Sequence, residues 1–200
     1  MQQIPNKTLD EWLEELTIAR DKNPECGRTR YNLGVAYVGK GMIDEAIEEF
    51  YEAIANSPTI VEAYVNLGGI FMQRGELDSA IDMNQKAVKL RPNFAVAYSN
   101  MGFAYLQKGE SYEAIKALTK AVLLDPKLAQ AHSNLGAAYL QEGKFEESIQ
   151  ASEKALELEP KFALAHNNLA VAYAASGDFE AAIAHCDKAQ DLNFAIKKEL

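Results

Sequence analysis

Hydrophobic residues recur along this chain at spacings of three and four, in pairs of segments that are separated by a glycine and closed by a proline. Tyr98, Met101 and Tyr105 show the spacing in a first segment, and Phe145 and Ala155 belong to the same pattern in a second segment. Residues spaced in this way share one face of an α-helix. The pattern predicts an all-α chain built from pairs of amphipathic helices.

The pairs repeat every 34 residues without an insertion. Five units start at Gly27, Val61, Ala95, Ala129 and Ala163, and a position counted from the start of its unit is called a place here. Places 7 and 8 read Leu-Gly, Met-Gly or Leu-Ala, place 11 is always aromatic, place 15 is always glycine and place 27 is always alanine. Proline closes the first four units, at Pro58, Pro92, Pro126 and Pro160.

This signature resembles that of the tetratricopeptide repeat (TPR) family, in which a 34-residue unit forms a helix, a turn and a second helix. The resemblance covers residues 27–196, in units 27–60, 61–94, 95–128, 129–162 and 163–196. It implies a right-handed superhelical solenoid of antiparallel helix pairs. Each unit of such an array is stabilised mainly by its neighbours.

Residues 1–26 and 197–200 lie outside the five units. Thr8 and Glu11 form a capping-box pattern, which predicts an N-terminal helix. This helix is either the second half of a degenerate repeat, with Pro24 in the register of the later prolines, or an unrelated cap. Residues 197–200 are predicted to form a short tail.

The last unit lacks its closing proline and has Asn193 and Phe194 in that region. We expect its helices to expose apolar surface around Leu169, Tyr173 and Phe179, which makes self-association through the C-terminal end possible. The alternative is that residues 194–200 extend the last helix and partly cover it.

Place 6 is asparagine in every unit, at Asn32, Asn66, Asn100, Asn134 and Asn168. In the TPR family the first helices line a concave groove, which implies that places 2, 5, 6, 9, 12 and 13 face a ligand. A row of amides can bond to the backbone of an extended peptide whatever its sequence. The row is similar to the asparagine ladder in the repeat domain of O-linked N-acetylglucosamine transferase. The alternative is that the asparagines bond to helices of their own array.

The other predicted groove residues are apolar or neutral and polar, which suits an extended client of modest charge. They include Val65, Met72, Gln73, Phe103, Leu106, Gln107, Leu140 and Gln141. Only Arg28 and Glu62 carry charge among the groove places. The chaperone-binding TPR proteins use several basic groove residues as a carboxylate clamp, so recognition of a strongly acidic tail is disfavoured.

Composition narrows the function further. A net charge of −9 argues against nucleic-acid binding, because phosphate-binding surfaces concentrate Lys and Arg. The chain has neither an apolar leader nor a run of roughly 18 apolar residues, so we expect a cytoplasmic protein without membrane insertion. Two distant cysteines, Cys26 and Cys186, fit a reducing compartment.

No motif indicates catalysis, a cofactor or a metal. His132 and His166 fall at place 4, where other units carry tyrosine, and are interpreted as packing residues. We therefore expect a non-enzymatic protein-interaction module, a scaffold or assembly factor that binds a client peptide. The alternatives are a self-assembling structural protein and a targeting subunit of an enzyme.

Overall fold

The computed structural model describes the backbone of residues 8–198 and the side chains of residues 8–192, and over this range the chain is all-α. Two segments lie outside the described range: residues 1–7, and residues 199–200 at the end of the predicted tail. The helices are α1 Leu9–Lys22, α2 Gly27–Lys40, α3 Ile43–Asn56, α4 Val61–Gln73, α5 Leu77–Leu90, α6 Ala95–Lys108, α7 Ser111–Leu124, α8 Ala129–Gln141, α9 Phe145–Leu158, α10 Ala163–Ser176 and α11 Phe179–Lys198. The first helix of each pair begins at the first residue of a predicted unit. None of these helices combines the length and the apolarity that a membrane crossing requires.

A glycine at place 15 separates the two helices of each pair. Its φ angle is positive in all five units, from 70° at Gly143 to 89° at Gly177. Side chains strain the backbone in this left-handed region, so glycine ends the first helix at low energetic cost. The turn predicted from the glycine spacing is confirmed.

Within each pair, the small residue at place 8 allows the two helices to approach closely. A Cβ atom added to Gly102 would lie 2.4 Å from Cγ of Leu118, which is fully buried at place 24 of the same unit. Gly34 faces Phe50 in the equivalent way. The alanines at place 27 are also buried. A larger side chain at this place would push the closely packed helices apart.

Four residues at place 4 form a hydrogen bond to the carbonyl of the proline six residues earlier. A carbonyl can only accept, so the side chain at place 4 must provide the donor. Residues as different as arginine, tyrosine and histidine satisfy this requirement. The pairs are Arg30 Nε with Pro24 at 2.7 Å, Tyr64 Oη with Pro58 at 3.2 Å, His132 Nε2 with Pro126 at 3.0 Å and His166 Nε2 with Pro160 at 3.3 Å.

The first of these bonds shows that Pro24 occupies the same position as the later prolines. Helix α1 begins with the predicted capping box of Thr8 and Glu11 and packs against α2. Glu49 of α3 is buried and accepts from both Arg20 of α1, at 3.2 Å, and Arg30 of α2, at 3.0 Å. This cluster of three charged side chains ties α1 to the first complete unit, as a degenerate repeat and an unrelated cap would both do.

The chain divides into two compact units, Met1–Pro92 and Asn93–Leu200. The core of the first includes Phe50, Leu67 and Phe71. The core of the second includes Leu118 and Leu135.

Helix α11 is longer than the other second helices, with 20 residues against 14. Proline cannot continue a helix because it lacks the N–H donor and clashes with the preceding turn. Its replacement by Phe194 at place 32 therefore allows the backbone helix to run to Lys198.

Candidate functional site

A pocket of about 220 Å³ lies on the first helices of the third and fourth units. Its lining comes from Ser99, Asn100 and Phe103 of α6 and from Gln130 and Asn134 of α8. These residues occupy places 5, 6 and 9 of one unit and places 2 and 6 of the next. The structure therefore brings together residues from the set of places predicted to face the groove.

The pocket combines one aromatic ring with several amides. Gln130 is exposed, and its Nε2 donates to Oδ1 of Asn134 at 3.0 Å. This bond holds Asn134, which is only 2% exposed. Asn100 and Phe103 are half-buried, so their amide and ring are partly accessible in the pocket. Gln130 was not singled out from the sequence, although its spacing of four from Asn134 puts the two side chains side by side on a helix.

The five asparagines at place 6 do not share one environment. Asn168 is 3% exposed, and its Nδ2 donates to the backbone carbonyl of Ser133 at 2.9 Å. Asn168 therefore has the alternative role named in the sequence analysis, because it bonds to another helix of the array and not to a ligand. Asn32, Asn66 and Asn100 are half-buried and remain partly accessible.

The other residues predicted for the groove differ in their exposure to solvent. Leu106 is only 7% exposed and belongs to the core of the second compact unit, so its placement in the groove was wrong. Its side chain belongs to a cluster with Ala131, Leu135 and Ala138 of α8, so it fills the core. The remaining predicted residues are half-buried or exposed. Val65, Met72, Phe103 and Leu140 are half-buried, and Gln73, Gln107 and Gln141 are exposed.

The charged groove places of the first compact unit are engaged with other residues of that unit. The guanidinium of Arg28 lies over the ring of Tyr31, 5.5 Å from its centroid. Glu62 bonds to Arg91 at 2.9 Å. The pKa of Glu62 lies below its usual value because its own backbone N–H, and then Arg91, stabilise the carboxylate. Glu62 therefore already has an ionic partner, and Arg28 lies against an aromatic ring.

An exposed apolar surface lies on α10 and α11, around a depression of about 460 Å³. Phe179 is 67% exposed there, as predicted from the sequence. Leu169, by contrast, is fully buried within the array, so its predicted exposure was wrong. Tyr173 is half-buried, donates to Oε1 of Glu153 at 3.2 Å and stacks on His185.

The structure also pairs two histidines that sequence reasoning treated separately. Nδ1 of His166 on α10 lies 2.9 Å from Nδ1 of His185 on α11. Since Nε2 of His166 must donate to the carbonyl of Pro160, its Nδ1 is the acceptor and His185 the donor. Burial lowers the pKa of both imidazoles, and the charge of Lys188 lowers both further. For His185 the neighbouring His166 also lowers the pKa, whereas Glu153 opposes the shift.

Among the described side chains, no group of three or more His, Cys, Asp or Glu residues is arranged to hold a metal ion.

The comparisons with known proteins concern the family and the fold. The profile of the cilia and flagella-associated protein 70 C-terminal domain, a TPR domain, matches residues 13–195. The chain belongs to this TPR family. Comparison with curated proteins gives no significant match.

Solved structures of other TPR proteins resemble the chain over most of its length. A crystal structure of MamA is 30% identical, with a TM-score of 0.72 over 83% of this chain and 97% of that chain. YrrB, described as a TPR protein with an unusual peptide-binding site, is 22% identical, with a TM-score of 0.75 over 94% of this chain and 100% of that chain. The Cut9-Hcn1 hetero-tetramer of APC/C is 22% identical, with a TM-score of 0.78 over 92% of this chain and 37% of that chain. The last two likenesses show the fold alone, and the family and its fold indicate a protein-interaction scaffold.

Proposed function

We propose that this TPR chain is a non-enzymatic scaffold that binds an extended segment of a client protein along its first helices, with the pocket around Asn100 as an anchor. The observation that carries the proposal is the convergence of Asn100, Phe103 and Gln130 from two successive units on one concave site. Concave sites with a few convergent polar groups are preferred ligand sites. The peptide-binding site described for YrrB, which has the same fold, supports the same use here.

The pocket suits the backbone of a peptide together with one apolar side chain. The amide of Asn100 can donate to a peptide carbonyl and accept from a peptide N–H, whereas Phe103 offers an apolar surface. Each such hydrogen bond contributes about 0.5–1.5 kcal/mol net. Tight binding therefore requires further contacts between the chain and the client beyond this pocket.

The client is expected to be extended and not strongly acidic. None of the five residues that line the pocket is charged, and Glu62 is already paired with Arg91. An acidic segment would gain no ionic partner in this pocket and would be repelled by the net charge of −9. A cytoplasmic location remains a prediction from the sequence.

The proposal is tested with peptides selected on the wild-type chain from a displayed library of random 12-residue sequences. Affinities of synthetic copies are then measured by calorimetry for wild type and for Asn100→Ala. Loss of about 1 kcal/mol predicts roughly fivefold weaker binding. The matched control is Asn56→Ala, since Asn56 is exposed on α3 and bonds only locally, to the carbonyl of Glu52. Equal affinities of wild type and Asn100→Ala for every selected peptide would contradict the proposal.

A further inference from the structure

Two exposed apolar side chains on α7 depart from the pattern of the other second helices. Tyr112 is 73% exposed and Leu123 is 71% exposed, more than any other large hydrophobic residue in the described part of the chain. They occupy places 18 and 29, which are exposed in all five units. The other units carry Asp44, Asp78, Glu146 and Glu180 at place 18, and Ala55, Lys89, Glu157 and Asp191 at place 29.

The repeat therefore provides an internal comparison for these two residues. A place that is exposed in every unit does not contribute to packing within the array, and four units show that the array needs no large apolar side chain there. Single exposed apolar residues are ordinary. Tyr112 and Leu123, however, are eleven residues apart, which is about three helical turns, so they lie on one face of α7 and about 16 Å apart along its axis.

A lysine lies between them on the same face. Lys116 follows Tyr112 by four residues and precedes Leu123 by seven, and both spacings keep a side chain on one helix face. Its partner Glu113 is 3.7 Å away in an ion pair that solvent reaches from both sides, so the pair contributes little. The other units carry Glu48, Asp82, Gln150 and Ala184 at this place, so the third unit alone has a cation there.

The sequence of groups along this face is apolar, basic and apolar, and we call Tyr112, Lys116 and Leu123 the α7 stripe. Lys120 adjoins the stripe and adds positive charge, but place 26 is lysine in units two to five and does not set the third unit apart. The distinctive features are the two large apolar residues and the central cation. They occur in a chain whose net charge is −9.

These features distinguish between possible occupants. A second copy that docked through its own α7 stripe would bring two copies of Lys116 into one contact, which is unfavourable. The α3 helix of a second copy would offer carboxylates, but it has Asp44 and Ala55 at the places of Tyr112 and Leu123 and so lacks large apolar partners. A straight helix lying along α7 can contact residues at spacings of four and seven together.

We propose that the α7 stripe is a docking site for an acidic amphipathic α-helix of a partner protein. The helix carries a large apolar residue at each end of the contact, about three turns apart, and a carboxylate between them that faces Lys116. None of the three stripe residues lines the pocket around Asn100, so this site is separate from the one in the proposed function.

The fourth unit supplies matched variants for the test. In the loss variant, Tyr112→Glu, Lys116→Gln and Leu123→Glu give α7 the residues that α9 already carries at the same places. The transfer variant adds Glu146→Tyr, Gln150→Lys and Glu157→Leu, which move the stripe to α9. Because every residue introduced is one that the array carries at that place in another unit, both variants should keep the fold, which circular dichroism checks.

The probe is a displayed library of helical peptides of about 20 residues, roughly 30 Å long, randomised on one face. Helices selected on the wild-type chain are synthesised, and their affinities are measured by fluorescence anisotropy. We expect them to carry Asp or Glu between two large apolar residues. They should bind the loss variant about tenfold more weakly or worse, and the transfer variant should restore binding. Replacing the central carboxylate of the peptide by Lys should weaken binding to a similar extent.

The loss variant should bind peptides selected for the pocket around Asn100 as tightly as wild type does, so this proposal and the proposed function fail separately. The proposal is overturned if no selected helix distinguishes wild type from the loss variant, or if the helices that do so are basic or uncharged. A dimer seen by light scattering that the loss variant dissociates would also overturn it, in favour of self-association through α7.

Discussion

Two adjacent glycines in α4 should respond in opposite ways to the same substitution. A Cβ atom added to Gly68 would lie 2.2 Å from Nδ2 of Asn84 and 3.3 Å from the backbone oxygen of Ala80. Asn84 is fully buried and donates from Nδ2 to that same oxygen at 2.8 Å. A Cβ atom added to Gly69 would have no neighbour within 4 Å.

The expected magnitudes follow from these contacts. Replacing glycine by alanine inside a helix stabilises it by about 0.5–1 kcal/mol, and Gly69→Ala should show this gain in full. Gly68→Ala forces Asn84 to move, which costs about 1–3 kcal/mol for overpacking and about 1–3 kcal/mol for the disrupted buried amide. After subtraction of the helix gain, the net loss should be about 1–5 kcal/mol. At about 2–4 °C per kcal/mol for a chain of this size, the melting temperature should fall by about 2–20 °C.

Thermal unfolding followed by circular dichroism measures both variants against wild type, and hydrogen exchange in α4 shows whether the effect is local. The double variant Gly68→Ala, Asn84→Ala provides a control, since removal of the amide side chain makes room for the new methyl group. It should be more stable than the sum of the two single effects predicts, by about 1 kcal/mol or more. If both single glycine variants shift the melting temperature in the same direction, the close-packing argument is wrong.

Three further predictions concern buried polar groups. The pKa values of His166 and His185 are lowered in the folded state, so the unfolded chain binds protons more readily. The contribution of these two histidines to the stability of the last unit should be fully present above pH 6.5 and should be lost as the pH falls through their folded-state pKa values. Hydrogen exchange in α11 should therefore accelerate on acidification. His166→Tyr, which retains a donor at place 4, should flatten that pH dependence, and an unchanged profile would contradict the role of the pair. Glu49→Gln should weaken the attachment of α1 by about 1–2 kcal/mol, seen as faster proteolysis of α1, while the exposed neighbour variant Glu48→Gln should behave as wild type. Asn168→Ala should lower the free energy of unfolding by about 1–3 kcal/mol, as measured by urea denaturation, without changing peptide affinity at Asn100; a loss of affinity at unchanged stability would reverse this assignment.

The helix pairs, the first residue of each first helix and the glycine turns could be predicted from the sequence because local chemistry decides them. Gly41 and the later place-15 glycines end first helices through their positive φ angles, and the periodic apolar residues fix which face each helix buries. Place 32 of the last unit is also consistent with local control, since α11 continues through this place, where the first four units have proline.

The sequence also identified the places of the candidate pocket, since a spacing of three and four residues specifies a helix face. Asn100 and Phe103 lie in the pocket as this reasoning expects. The pairing of Gln130 with Asn134 was accessible to the same rule, since it depends on a spacing of four residues.

The tertiary structure alone decided which members of a repeated set are available to a ligand. Asn100 and Asn168 share a residue type and a place, yet Asn100 lines a pocket while Asn168 is bonded to a carbonyl 35 residues away. His166 and His185 meet in the same way across two helices. The repeat determines the residue type at a place and the position of that place on its helix. Its environment depends on the residues that the neighbouring helices bring against it, and these differ from one unit to the next.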